Sequence, residues 1–276
     1  MSGRHISHLA VLIVFASAGF APATRAATDL VFANGFDAEY SYRIDSLTLH
    51  DPHVWVSFVG CTDLTSQLNS SQQSALQDDS DQDGFLDASF VLRFLPLDQS
   101  DGAMGESNLV VGPSCYAPST SGVCIAGGST TFVASYTSQA SGTCLAPIAG
   151  TTRATYGALN SPGAPCFATA ATPVSVTLSG IPLTLHDTRV AATYNATPAT
   201  GLTSGLLFGF VTEADADATI LSPSLPLIGG HSLSSVLAGG TNACTAAAFS
   251  DKDTNNAVAG WWFYFDFTAT QVHYVP

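Results

Sequence analysis

Trp261-Trp262-Phe263-Tyr264-Phe265-Asp266-Phe267-Thr268 decides the class of fold. Its odd positions are all large aromatics, and polar groups appear only on the even ones. A repeat of two with aromatic side chains is the mark of a strand with one buried face. Three other stretches read the same way. Val54, Val56 and Phe58 alternate with Trp55, Ser57 and Val59. Phe90, Leu92 and Phe94 alternate with Val91, Arg93 and Leu95, and Val174, Val176 and Leu178 with Ser175, Thr177 and Ser179. Helical spacing is rare: Ser66–Gln77 predicts one amphipathic helix, and Thr212–Ile220 and Ser232–Leu237 predict short ones. The expectation is an all-β protein, sandwich-like, with antiparallel sheets and few short helices.

Upstream, Arg4 is followed by the apolar run Leu9–Phe20 and by small residues at Ala21-Pro22-Ala23 and Ala23-Thr24-Arg25-Ala26. Those three zones read as an export signal over 1–26, cut after Ala23 or Ala26. The run is short of the roughly 20 residues that span a bilayer. No later stretch reads as a transmembrane helix, so the expected location is the periplasm or the extracellular space. The whole chain carries a formal charge of −14. All 21 Asp and Glu lie beyond Ala26, whereas Arg4 and Arg25 lie before it, so the processed chain is more acidic still. That balance repels nucleic acid and anionic membrane and attracts cations.

Cys61, Cys115, Cys124, Cys144, Cys166 and Cys244 make an even set in an exported chain, which predicts disulfides. No CxxC pair supports a metal alternative. Six cysteines permit 15 pairings; the reading favours Cys115–Cys124, Cys144–Cys166 and Cys61–Cys244. The segment 102–173 holds four of the six and is rich in Gly, Ser, Thr, Ala and Pro. It reads as a disulfide-stapled insertion between 27–101 and 174–276.

Those flanking segments share a motif. Leu47-Thr-Leu-His-Asp51 recurs as Leu183-Thr-Leu-His-Asp187, with Val54 and Val190 at matching places. An acidic loop and a strand follow each copy, at Asp81 and Phe90 and at Asp251 and Trp261. This predicts a pseudo-two-fold duplication; the plainer reading is coincidence among similar strands.

Asp79-Ser-Asp81-Gln-Asp83-Gly84-Phe85-Leu-Asp87 is the sharpest chemical motif. Carboxylates at alternate positions converge on a hard cation when a chain curls, and the glycine permits the curl. Over these nine residues the segment resembles the calcium loops of dockerin and thrombospondin type 3 repeats. The resemblance implies Ca²⁺ held by the side chains of Asp79, Asp81, Asp83 and Asp87 and by the Phe85 carbonyl. Phe90 departs from the pattern, standing where a closing acid belongs. A solvated acidic turn is the plain alternative. Asp251, Asp253 and Asn255 form a degenerate second copy, weakened by Lys252. Glu213, Asp215 and Asp217 read as a helix start.

His50-Asp51-Pro52-His53 and His186-Asp187 invite a metal or catalytic reading, but a strand-end turn explains them better. No GxSxG, HExxH or phosphate loop is present, and no catalytic residue or organic cofactor is assigned. Val31–Asp37 (VFANGFD) resembles a segment that follows the signal peptide in some secreted bacterial proteins, and SDKDTNN with GWWFYFDF is similar to such proteins too. These likenesses imply export and no particular activity. The sequence thus supports an exported, non-enzymatic structural or binding protein with a calcium-stabilised loop, its partner a cell-surface or carbohydrate ligand. The alternative is a secreted hydrolase acting on a polysaccharide or ester.

Export and oxidation make one joint prediction. Purified exported protein should begin after Ala23 or Ala26 by N-terminal sequencing and show no free thiol under denaturing, non-reducing conditions. A retained Met1, or two or more reactive thiols, contradicts it.

Overall fold

The computed structural model describes residues 39–57, 60–178, 180–223, 225, 227–240 and 250–276. The strands, in chain order, are β1 (Tyr40–Asp51), β2 (Trp55–Ser57), β3 (Cys61–Asp63), β4 (Phe90–Leu95), β5 (Met104–Val111), β6 (Ser114–Cys115) and β7 (Val123–Ile125). They continue with β8 (Thr130–Gln139), β9 (Cys166–Thr169), β10 (Thr172–Leu178), β11 (Ile181–Tyr194), β12 (Gly201–Thr212), β13 (Lys252–Asn255) and β14 (Val258–Val275). Helix α1 is Thr65–Gln77 and α2 is Glu213–Ala218. Leu233–Ser235 makes a 3₁₀ turn where the third short helix was expected.

Eight strands pair in the order β1-β4-β5-β8-β9-β11-β12-β14, and β14 pairs again with β1. The sheet closes into an antiparallel barrel. This corrects the expected sandwich. Period-two patterning is common to both architectures, and only the pairing of the first and last staves separates them. The segment 102–173 is also more than an insertion, because β5, β8 and β9 are three of the eight staves. Its small Ser, Thr and Ala side chains mask strands that tertiary pairing nevertheless fixes.

Alternation sorts the side chains. Tyr42, Phe94, Tyr136, Phe167, Tyr194, Trp261, Phe263, Phe265 and Phe267 belong to one buried cluster that fills the barrel. Phe94 meets Tyr42, Tyr136 and Phe167 edge to face at 5.8, 5.0 and 4.8 Å. Two of the inward aromatics of β14, Phe263 and Phe267, stand opposite glycines on β12, Gly209 and Gly205. Gly205 pairs with Phe267, whose ring lies where a β-carbon would sit, 2.6 Å from it. Only glycine leaves room for that ring. The outward side of β5 and β8 carries Glu106, Thr131 and Ser135, all exposed. On these two strands the side facing the barrel interior is apolar, with Leu109, Phe132 and Tyr136, and the outer side carries the polar groups. No described helix is long and apolar enough to cross a membrane.

Two patches outside the barrel are also buried. Val91, Val110 and Tyr274 pack beneath the β6–β7 hairpin, which the Cys115–Cys124 disulfide closes. Leu206, Phe208, Phe210, Trp262 and Tyr264 pack beneath the β8–β9 connection, which Cys144–Cys166 ties down. Both expected short-range disulfides are present. Cys61 is disulfide-bonded, and its expected partner Cys244 lies outside the described residues.

Helix α1 packs on β1 by hydrogen bonds as well as by Leu68 and Leu76. Asn69, Gln73 and Gln77 follow one another at a spacing of four and share a face. Asn69 exchanges two bonds with the Leu49 backbone, at 2.8 and 2.9 Å. Gln73 and Gln77 both donate to the Asp45 carbonyl, at 2.9 and 2.5 Å. Asp45 is the residue skipped in the β1–β14 register, so the helix amides satisfy a carbonyl that a bulge frees.

The LTLHD copies occupy different settings. Leu47–Asp51 pairs with β14, whereas Leu183 and Leu185 pair with β10 in a hairpin. Asp51 is buried; Asp187 is exposed and left-handed at φ 50°. The topology shows no repeated unit relating the two halves.

Trp261 is the deepest anchor of the core, fully buried with Nε1 donating to the Ala238 carbonyl at 2.8 Å. Trp261→Ala should cost about 3–5 kcal/mol of unfolding free energy, read from urea denaturation, and a cost below about 1 kcal/mol would contradict this packing.

Candidate functional site

Three groups of acidic side chains were candidates, and the structure treats each differently. The first is the loop 79–87 between α1 and β4. One carboxylate oxygen from each of Asp79, Asp81 and Asp87 lies within 4.8 Å of the others. The curl that gathers them is built locally. Asp79 accepts from the Asp83 and Gly84 amides, both at 3.0 Å. Asp87 accepts from the Ser80 amide at 3.0 Å and from its hydroxyl at 2.6 Å. Gly84 takes φ +91°, open to glycine and strained for other residues. Asp83 stands apart from the trio: its carboxylate accepts from the Phe85 amide at 2.8 Å and so shapes the turn. The loop leans on the stapled hairpin. Leu86 donates to the Cys115 carbonyl, Ala117 donates to that of Gly84, and Phe85 packs on Tyr116 at 4.9 Å. Phe90, where a closing acid would stand, is in the core.

The second group is the degenerate copy. Asp251, Asp253 and Asn255 are not gathered. Asn255 donates to Asp187 at 2.6 Å, and Asp251 turns inward. Around Asp251 lies a site the sequence reading did not assemble. Its carboxylate accepts from Arg153 Nε at 2.7 Å, from the Tyr156 hydroxyl at 3.0 Å and from the His53 amide at 3.2 Å. Asp51 lies alongside and accepts from the Arg153 amide at 3.0 Å. His53 stacks on Tyr156 at 3.4 Å and pairs with Asp63 through Nδ1 at 2.6 Å. His50 pairs with Asp266 through Nε2 at 3.1 Å. The residues come from β1, β2–β3, the β8–β9 connection and the lead into β13. No sequence spacing announces such a meeting. Its one legible sign was His50-Asp51-Pro52-His53, which the sequence suggested as a strand-end turn. A polar cleft of about 500 Å³ opens beside it, lined by Thr151, Arg153, Asp251 and Asp253 among others.

Burial governs the electrostatics here. Desolvation, then the neighbouring Asp251, pushes the Asp51 carboxyl up to about 8. Desolvation also raises Asp251 and Asp253. The hydrogen bond to Asp266 raises His50.

The third group is the start of α2. Thr212 caps the helix, accepting from the Asp215 amide at 3.0 Å. Asp215 is lowered, chiefly by the Thr212 hydroxyl and also by His186, whose Nε2 lies 2.8 Å away. Glu213 pairs with Lys252. These acids start a helix, as expected, and His186 serves that corner. Comparison with protein-family models, with curated proteins and with solved structures yields no match.

The raised groups share one sign. Asp51 and Asp251 bind protons more readily folded than unfolded, so their contribution is complete below the ordinary carboxylate range and is lost as pH rises, for Asp51 through about 8. His50 acts in the same direction above its ordinary value. The urea midpoint should therefore fall between pH 5 and pH 9, and Asp51→Asn should flatten the fall; a midpoint that rises over this range rejects the assignment.

Proposed function

We propose that this is an exported protein of structural or binding type in which the loop 79–87 holds Ca²⁺. The observation that carries the reading is the gathering of Asp79, Asp81 and Asp87 on a loop braced by a disulfide-closed hairpin. The donors are all oxygen, which suits Ca²⁺, and the Phe85 carbonyl is the expected backbone ligand. Asp83 contributes by holding the turn. With the interior filled by side chains, recognition falls to the outer surface. A carbohydrate suits the cleft of about 550 Å³ that begins at Asp87, whose walls include Ser89, Thr130, Ser175, Thr177, Thr184 and Thr219. The hydrolase reading is the weaker one, because the best acid pair, Asp51 and Asp251, is only 2% and 6% exposed and already engaged.

Affinity should be modest, with Kd on the order of 10⁻⁴–10⁻³ M as in extracellular modules. A tenfold excess over Kd then adds about 1.4 kcal/mol, or roughly 3–6 °C in Tm for a chain of this size. Calorimetry in millimolar CaCl₂ should show that rise, MgCl₂ should give much less, and Asp81→Ala should remove most of it. An unchanged Tm, or a full response from Asp81→Ala, leaves the loop a solvated turn.

A further inference from the structure

The β8–β9 connection behaves as a strap. It is closed at its base by Cys144–Cys166 and runs across the outer face of β12 and β14. Leu145, Ile148 and Leu159 lie against that face, over Phe208, Phe210, Trp262 and Tyr264. Its far half is fastened by polar groups. Arg153 bonds Asp51 through its amide and Asp251 through Nε, and Tyr156 bonds Asp251 through its hydroxyl. Further along, the Asn160 amide donates to Asp266 at 3.0 Å, and Thr151 meets the Tyr264 hydroxyl at 2.5 Å.

We propose that residues 150–156 are a pH-operated catch, closed while Asp51 and Asp251 share one negative charge and released when both are ionised, so that the aromatic face beneath is uncovered in alkaline conditions. The reasoning is electrostatic. Facing the catch are Asp51 from β1, Asp251 and Asp253 from the β13 side, and Arg153 and Tyr156 from the strap itself. His53 is paired with Asp63, His50 with Asp266, and Lys252 is turned to Glu213 and over the Trp261 ring. Three carboxylates thus surround a single guanidinium. Two of the three are buried, where like charges repel far more strongly than in water. Moving the strap outward is the cheapest relief, since water then reaches both carboxylates while the barrel pairing stays intact. Burial and the neighbouring Asp251, which hold the Asp51 carboxyl near 8, place the release in the weakly alkaline range.

Trypsin reads this directly. Arg153 is the sole Lys or Arg between Arg93 and Arg189, and it lies inside the loop that Cys144–Cys166 closes. A cut there gives two pieces that separate only on reduction. The intact protein is digested at pH 6 and pH 9 at one fixed CaCl₂ concentration, with rates normalised to an unfolded Arg peptide at each pH. Cleavage at Arg153 should be at least about tenfold faster at pH 9, while Arg43, inside the barrel wall, stays uncut. Asp51→Asn should remove the difference, and Asp253→Asn should shrink it. Equal normalised rates in the unaltered protein overturn the proposal, as does an Asp51→Asn variant that keeps the difference. Cutting at Arg43 in step with Arg153 overturns it too, because the event is then unfolding of the barrel. If Asp51→Asn does not fold, the unaltered protein and Asp253→Asn decide the matter. The calcium loop takes no part in the catch, so the outcome is independent of Ca²⁺ binding.

Discussion

The pairing of β1 with β14 is the constraint on which the rest depends. It joins the first and last staves over Ser41–Asp51 and Tyr264–Val272. Without it the sheet would end in two long edges, one of them rich in aromatics. Closure removes both edges and gives the inward rings of β14 partners on every side. It also sets the bulge at Asp45, and α1 is placed by the carbonyl freed there. The helix therefore follows from the closure and is not an independent element laid on the sheet.

Closure creates a second problem. Two long strands, β12 and β14, are apolar on both faces, and a barrel buries only one. The protein covers the other with connections in place of a second sheet. The strap covers Phe208, Trp262 and Tyr264, and the β6–β7 hairpin covers Val91 and Val110. Irregular covers of this kind bury few apolar groups of their own, and each is tied by a disulfide close to where it leaves the barrel. A disulfide restricts the unfolded chain and adds roughly 2–4 kcal/mol, which compensates for the thin packing of such segments.

Strand character was legible wherever aromatic or β-branched residues alternate. Ser66–Gln77 was legible as an amphipathic helix, but the backbone partners of Asn69, Gln73 and Gln77 were not. The short-loop cysteine pairs were legible from their even number, their spacing and the expected export signal. Architecture was not, because Phe90–Leu95 or Trp261–Thr268 would look the same in a sandwich. The repeat shows the limit most clearly. Leu47–Asp51 and Leu183–Asp187 are the same five residues, yet one Asp is buried beneath Arg153 and the other is exposed on a bulge. Identity over five residues fixes strand propensity and no more; partners across the sheet fix the rest. The loop 79–87 was legible because its geometry is local. The cluster at Asp51 was not, since Asp51 and Asp251 lie 200 residues apart in the chain.

The two acidic clusters differ in what neutralises them, and the scarcity of basic residues explains why. Arg43 is committed to the Leu76 and Ser119 carbonyls, Arg93 to Glu39 and the Tyr274 ring, Arg153 to Asp251 and Lys252 to Glu213. Where acids are buried, at Asp51 and Asp251, the chain supplies one guanidinium and lets a proton do the remaining work. Where they are exposed, at Asp79, Asp81 and Asp87, no described basic side chain is paired with them and water screens only part of the repulsion. A buried pair short of cations responds to protons, because larger ions cannot reach it. An exposed trio short of cations is open to dissolved ions, and its three oxygens, within 4.8 Å of one another, could hold a metal ion. One composition, rich in Asp and nearly without Lys, therefore leaves two acidic clusters in different electrostatic settings, and burial separates them.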